Sequence, residues 1–412
     1  MHPSRLQIKD FTYELPDDRI ARYPLPQRDQ SRLLVYRDGK LTETRYRNIA
    51  GELPSGALLV FNQTKVIYAR LLFQKPTGGR IEVFCLEPDE RYTEVQQAML
   101  QKGSVYWKCL VGGAAKWKEG QVLSLTAGKD TPLAMQAEIA EKKEGYFILK
   151  LSWTPEISFA EALQLAGRVP LPPYLNREAE QSDEQRYQTI FAREEGSVAA
   201  PTAALHFTEA ILATLPERQI ATGLVTLHVG AGTFKPVKSE TMEGHDMHAE
   251  WIEAGPAILQ QLFDRLKQGL PIVAVGTTSA RTLESLYWIG VQLLQDPGYI
   301  PTAGIAVSQW YPYEEDITIS PVEALEALAL YLDRHQVSKV VARTRIIIAP
   351  GYRFRIISGL VTNFHQPQST LLLLVSALVG AAWRDIYDYA LKEGFRFLSY
   401  GDGCLLWQSG SK

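Results

Sequence analysis

Residues 70–153 break the texture of this chain, and that break constrains its fold more than any other feature. Short alternating runs at 71–74, 80–86, 122–125, 135–139 and 146–151 follow one another with no strong helical period. Gly78-Gly79, Gly112-Gly113, Gly120, Gly128 and Gly145 separate them. Regular short strands with glycine turns are the pattern of a small β-barrel or sandwich. Strand-and-helix alternation resumes only after this stretch and implies an α/β layer domain. The expected organisation is a mixed α/β domain formed by 1–69 and 154–412, with a small β-barrel domain inserted at 70–153.

Within the α/β part, 33–36, Asp38-Gly39 and the residues from 41 read as a hairpin, because Asp-Gly tolerates the positive φ of a tight turn. Residues 57–61 read as a buried strand ending in Asn62. Helices are expected at 159–166, at 208–215 with Thr208 as cap, and at 258–268 with Gly269 past its end. Further helices are expected at 279–294 and 322–332, and strands at 220–229 and 272–275. Residues 296–320, rich in Pro, Gly and aromatics, read as an irregular loop.

The 412 residues suffice for one large and one smaller domain. A net charge of −3 gives no global basic signal, so a nucleic-acid partner needs a local patch. Cys85, Cys109 and Cys404 offer neither a disulfide framework nor zinc spacing, which suits a reducing cytosol. No signal-peptide core follows the N-terminus. The apolar run 371–382 is shorter than the roughly 20 residues of a membrane span and reads as a buried helix. No membrane partner is expected.

Three strand-to-helix junctions carry candidate chemistry. In the first, an apolar run at 356–361 gives way to Thr362, Asn363 and His365; Pro367 breaks the backbone and Ser369 caps the next helix. In the second, Thr226 and His228 share one strand face, and Gly230 and Gly232 permit close backbone approach. The bland alternative for His228 is a buried ring satisfied by a hydrogen bond. In the third, Gly276 precedes Thr277, Thr278 and Ser279 at a helix start, where free N–H groups attract anions. Arg281 and Glu284 follow on one helical face. Ordinary capping is the competing reading, and no phosphate-loop pattern is present.

Other segments add candidates. His245, His248 and Glu250 have a spacing that ligates a metal only if His228 joins; a polar loop is the alternative. Residues 196–208 combine small side chains with Thr202 and a single His206. Lys339, Arg343, Arg345, Arg353 and Arg355 form a stripe without acidic neighbours, either phosphate-binding or merely solvated. Arg353 and Arg355 are expected on one strand face. Arg396 to Asp402 is expected to end a strand with Tyr400 and Asp402.

Taken together, these segments resemble the S-adenosylmethionine:tRNA ribosyltransferase-isomerases of queuosine synthesis. The matching stretches run nearly end to end. They include Leu59-Val-Phe-Asn-Gln-Thr-Lys-Val66, Ala69-Arg-Leu71, Pro170-Leu-Pro-Pro-Tyr174, Val198-Ala-Ala-Pro-Thr-Ala-Ala-Leu-His-Phe207 and Val225-Thr-Leu-His-Val-Gly-Ala-Gly-Thr-Phe234. They continue with Met247-His-Ala-Glu250, Val275-Gly-Thr-Thr-Ser-Ala-Arg281, Leu360-Val-Thr-Asn-Phe-His365 and Ser399-Tyr-Gly-Asp402.

The resemblance implies an α/β domain interrupted by a β-barrel, and S-adenosyl-L-methionine as co-substrate without a metal. It also implies a tRNA partner carrying 7-aminomethyl-7-deazaguanine at the wobble position; separately, a cytoplasmic location is expected, and a monomer is favoured. The reaction transfers and isomerises the ribosyl group, giving epoxyqueuosine-tRNA, adenine and methionine. Catalytic roles are expected among His206, His228, His248, Glu250, His365 and Asp402. Substrate contacts are expected from Asn62, Arg70, Thr202, Thr226, Thr277, Thr278, Ser279, Arg281, Asn363 and Tyr400. RNA contacts are expected from the stripe Lys339 to Arg355.

Two departures stand out. Ala204 replaces the family's usual glycine, and 295–345 forms a longer connection than usual. A paralogue acting on another nucleic acid or base, a non-catalytic RNA-binding protein and a metallohydrolase built on His228, His245 and His248 are the rival readings.

Overall fold

The computed structural model describes residues 2–118, 120–128, 132–230, 237, 239–296, 304–314 and 317–408. Gly232 of the glycine pair, and 297–303 and 315–316 of the 295–345 insert, lie outside the described residues.

Among the described residues, ten strands form one mixed sheet. Its order is Ile305–Val307, Val340–Thr344, Glu250–Ala254, Ala221–His228, Leu58–Asn62, Ile272–Val275, Gly359–Asn363, Gly403–Trp407, Arg32–Arg37 and Lys40–Arg45. The four central strands, from Ala221–His228 to Gly359–Asn363, are parallel. They are mostly buried, as parallel strands covered on both faces are. The edge hairpin turns through Asp38 and Gly39, both at positive φ, as the Asp-Gly pair requires.

Six antiparallel strands close a separate barrel: Arg70–Gln74, Arg80–Pro88, Ser104–Gly112, Leu123–Ala127, Leu133–Lys143 and Tyr146–Thr154. Leu71, Phe73, Ile81, Val83, Cys85 and Trp107 belong to its core. The architecture is thus mixed α/β with a small β-barrel. The sequence runs omit Ser104–Gly112, although Val105, Trp107 and Cys109 alternate inward. A short helix, Val95–Met99, also lies in this region.

The described residues of 295–345 add both strands and a helix to the α/β layers. Ile305–Val307 and Val340–Thr344 extend one edge, and helix Pro321–His335 packs on helix Thr277–Gln295. Gly290 makes that approach feasible: a Cβ there would stand 2.1 Å from the Ala324 carbonyl oxygen. A strand and the helix Tyr311–Glu314 occupy part of the segment expected to be an irregular loop.

Two expected strand positions differ. Arg353 and Arg355 lie in irregular backbone rather than on a strand face. The buried Glu284 carboxylate accepts the Arg355, Ile356 and Ile357 N–H groups and the Tyr352 hydroxyl at 2.8–3.1 Å. Those amides are therefore satisfied without a neighbouring strand. Arg396 to Asp402 precedes strand Gly403–Trp407 instead of ending one. Asp402 accepts the Arg32 and Arg396 N–H groups, both at 2.9 Å, and so holds that turn.

Candidate active site

Because the central strands are parallel, their carboxyl ends emerge on one edge of the sheet. Asn62, His228, Val275 and Asn363 are the terminal residues there. The neighbouring strands run antiparallel and bring Glu250 and Gly403 to the same edge. Leu58–Asn62 is flanked by strands that follow it on opposite sides, and ligands bind α/β sheets in the crevice at such a reversal.

A cleft of about 660 Å³ opens at this edge. Of the expected residues, Thr202, His248, Glu250, Thr277, Thr278, Arg281, Asn363 and His365 line it. His245 also lines it. Ile346, Ile347 and Ile348 supply an apolar wall, and Tyr174, Tyr187 and Ser399 another side. These six were not singled out from sequence. The isoleucines carry no chemical signature; Tyr174 and Ser399 lie in stretches that resemble the family, but no site role was expected of them or of Tyr187. The Tyr174 hydroxyl stands 2.5 Å from Ser399 Oγ, and burial pushes its pKa up to about 12.

Asn363, His365 and Glu250 organise the walls. Asn363 Oδ1 accepts the Thr202 hydroxyl at 2.8 Å, and its Nδ2 faces His206 Nε2 at 3.3 Å. His365 Nε2 lies 2.8 Å from Thr362 Oγ1, and the His365 N–H donates to the Tyr387 hydroxyl at 3.0 Å. Burial lowers the His365 pKa to about 3, so its imidazole is neutral at pH 7. Glu250 pairs with Arg281 through Oε2 and Nη1, and Oε1 accepts the Gly230 N–H at 3.3 Å.

The remaining expected residues lie outside the cleft lining. His206 is buried behind Asn363, stacked on Tyr46 at 4.3 Å, and its pKa falls to about 3 through burial. His228 is buried with Nδ1 3.2 Å from Thr64 Oγ1 and Nε2 3.9 Å from Glu253. Burial, then the charge of Lys339, lowers its pKa to about 3. The trio His228, His245 and His248 is therefore not assembled at the cleft. Among the described residues, no three His, Cys, Asp or Glu side chains gather as a metal site.

Asn62 clamps two strands by bonding the Leu227 N–H and C=O at 3.1 and 2.9 Å. Thr226 accepts from Gln63, Ser279 donates to the Val275 carbonyl, and Tyr400 donates to Asp183. Arg70 pairs with Glu82 on the barrel. Asp402 is occupied by backbone donors and Arg396. In the basic stripe, Lys339 pairs with Glu253 and Glu94, Arg343 with Glu87, and Arg345 with Asp246. Arg355 covers the Tyr287 and Trp288 rings, and Arg353 is exposed. Ala204 is fully buried in the apolar cluster with Phe61 and Phe207, at a φ that is not positive. Its methyl group faces the core and does not crowd the cleft.

A family model described as "Queuosine biosynthesis protein" matches residues 8–406. A protein of Xanthomonas oryzae pv. oryzae named S-adenosylmethionine:tRNA ribosyltransferase-isomerase is 39% identical, covering 98% of this chain and 97% of its own. A protein of the same name from Pelobacter propionicus is 38% identical, covering 97% and 99%. A crystal structure of S-adenosylmethionine tRNA ribosyltransferase from Thermotoga maritima is 26% identical, with a TM-score of 0.46 and coverage of 96% and 99%. With its matching model spanning both the sheet domain and the barrel, the chain belongs to the queuosine biosynthesis protein family.

Proposed function

We propose that this protein transfers and isomerises the ribosyl group of S-adenosylmethionine onto 7-aminomethyl-7-deazaguanine at a tRNA wobble position. Epoxyqueuosine-tRNA, adenine and methionine are the products, and the cytoplasm is the place of action. The observation that carries this reading is near-full-length identity of 38–39% to proteins named for the reaction. The polar cleft at the sheet edge supports it.

The chemistry needs a proton acceptor and a proton donor. A sulfonium acidifies the adjacent ribose carbon, so a base removes a proton there. Methionine departs with the electron pair of the broken C–S bond. Adenine departs with the electron pair of its glycosidic bond and leaves more readily when protonated. The new bond joins a ribosyl carbon to the amine nitrogen, which gives up one N–H proton to water. His206 and His228 are walled off, and Asp402 is committed to backbone donors. Proton transfer therefore falls to His248 and His365, the family-motif imidazoles that line the cleft. The neutral ring of His365 has a lone pair to accept with, and the exposed His248 stands where bulk water can exchange its proton.

The test is incubation of the purified protein with S-adenosylmethionine and tRNA bearing the deazaguanine precursor, followed by mass spectrometry. Epoxyqueuosine and free adenine in equal amounts are expected. Folded protein that makes neither refutes the reading.

A further inference from the structure

We propose that the amino end of helix Thr277–Gln295, together with Arg281, is a carboxylate subsite that takes the amino-acid end of S-adenosylmethionine, with Glu250 as the residue that positions Arg281. The proposal rests on the function proposed above.

The helix is 19 residues long, and its first turn holds no acidic residue. Its N-cap, Gly276, has no side chain with which to cap the free N–H groups. The amino end of such a helix carries about half a positive charge. That alone makes no site. The second observation is Arg281, one turn along from Thr277 and only 8% exposed. Its Nε donates to the Ile346 carbonyl at 3.3 Å and its Nη1 to Glu250. Its Nη2 is buried with no partner, although the residue lines the cleft. The Thr278 hydroxyl is likewise buried, unpartnered and part of the lining.

A buried donor left unsatisfied is destabilising, and a charged one more so. A ligand that supplies acceptors recovers that energy. A carboxylate is flat and acceptor-only, and it matches the guanidinium fork. It is also a chain end, able to reach a recess that a continuous phosphodiester backbone cannot enter. The Ile346 carbonyl and Glu250 occupy Nε and Nη1, so Nη2 is the guanidinium donor left for a ligand.

Isothermal titration of the full-length protein with S-adenosylmethionine and with its decarboxylated analogue tests this. Both carry the sulfonium nucleoside; only the first carries the carboxylate. The wild type is expected to prefer S-adenosylmethionine by roughly 10- to 100-fold, the range of a charged hydrogen bond. Arg281→Lys, which keeps the charge opposite Glu250 but loses the fork, should bring the preference below about fivefold. Thr278→Val, nearly isosteric, should reduce it by about three- to tenfold with an unchanged melting temperature. Glu250→Gln should weaken the preference without altering binding of the decarboxylated analogue. Equal wild-type binding of both compounds, or full preference in both Arg281→Lys and Thr278→Val, overturns the subsite while leaving the proposed reaction standing. Binding of neither compound overturns both.

Discussion

Asn363 places its side-chain amide between a cleft-lining hydroxyl and a buried imidazole: Thr202 Oγ1 is 2.8 Å from its Oδ1, and His206 Nε2 is 3.3 Å from its Nδ2. The relationship joins segment 202–206 to the end of strand Gly359–Asn363. Asn363→Leu keeps the volume and removes both polar contacts. We expect a loss of about 1–3 kcal/mol in stability, since the His206 ring then lacks that partner. We also expect kcat/KM to fall at least about tenfold through misplacement of the wall. Urea titration and steady-state kinetics measure the two; an unchanged urea midpoint contradicts the structural role.

Three buried histidines set the acid response. His206, His228 and His365 each have a folded pKa near 3, chiefly through burial, against an ordinary value of 6.5. Between those values the unfolded chain binds more protons than the folded one, so stability rises with pH. It is present above pH 6.5 and lost as pH falls toward 3. Each imidazole contributes a slope of about 1.4 kcal/mol per pH unit near pH 5. His228→Gln should flatten the measured dependence by about that amount, and denaturant titrations at pH 4.5, 5.5 and 7 decide it.

Asp402 accepts the Arg32 and Arg396 N–H groups and meets the Arg396 guanidinium at 3.4 Å. It does not line the cleft. Asp402→Asn should lower stability by about 1–3 kcal/mol through weakened acceptance of buried donors. The kcat of the folded fraction should fall by less than about tenfold, whereas loss of a general acid costs about 10²–10⁴-fold. A kcat loss in the latter range, with the melting temperature intact, would restore Asp402 as a catalytic acid.

Lys339 is held by Glu253 at 2.7 Å and Glu94 at 3.5 Å, which ties the sheet edge to the residue preceding helix Val95–Met99. Its charge is already answered within the protein. Lys339→Ala should leave the salt dependence of tRNA binding unchanged, whereas loss of a phosphate contact lowers the slope by roughly 0.7–0.9. Binding measured from 50 to 200 mM salt distinguishes these outcomes.

Much of this architecture was legible in the sequence because it depends on local period and punctuation. Glycine-spaced alternation at 70–153 pointed to short strands, and helices such as Phe159–Ala166 and Thr370–Val379 follow from caps at Ser158 and Ser369. The polar junctions at Thr277 and Asn363 were visible as strand ends. What the sequence by itself determined was which residue types stand at those ends. Only the tertiary structure decided which side chains share the cleft. His228 and His365 both follow apolar runs, yet one ring is closed against Thr64 and Glu253 while the other faces the cavity. Similarly, Glu284 draws the backbone around Arg355 away from a strand through contacts across 71 residues of chain. The physical reason is that local patterns set φ, ψ and face, whereas exposure and hydrogen-bond partners are set by segments that meet only once the sheet is assembled.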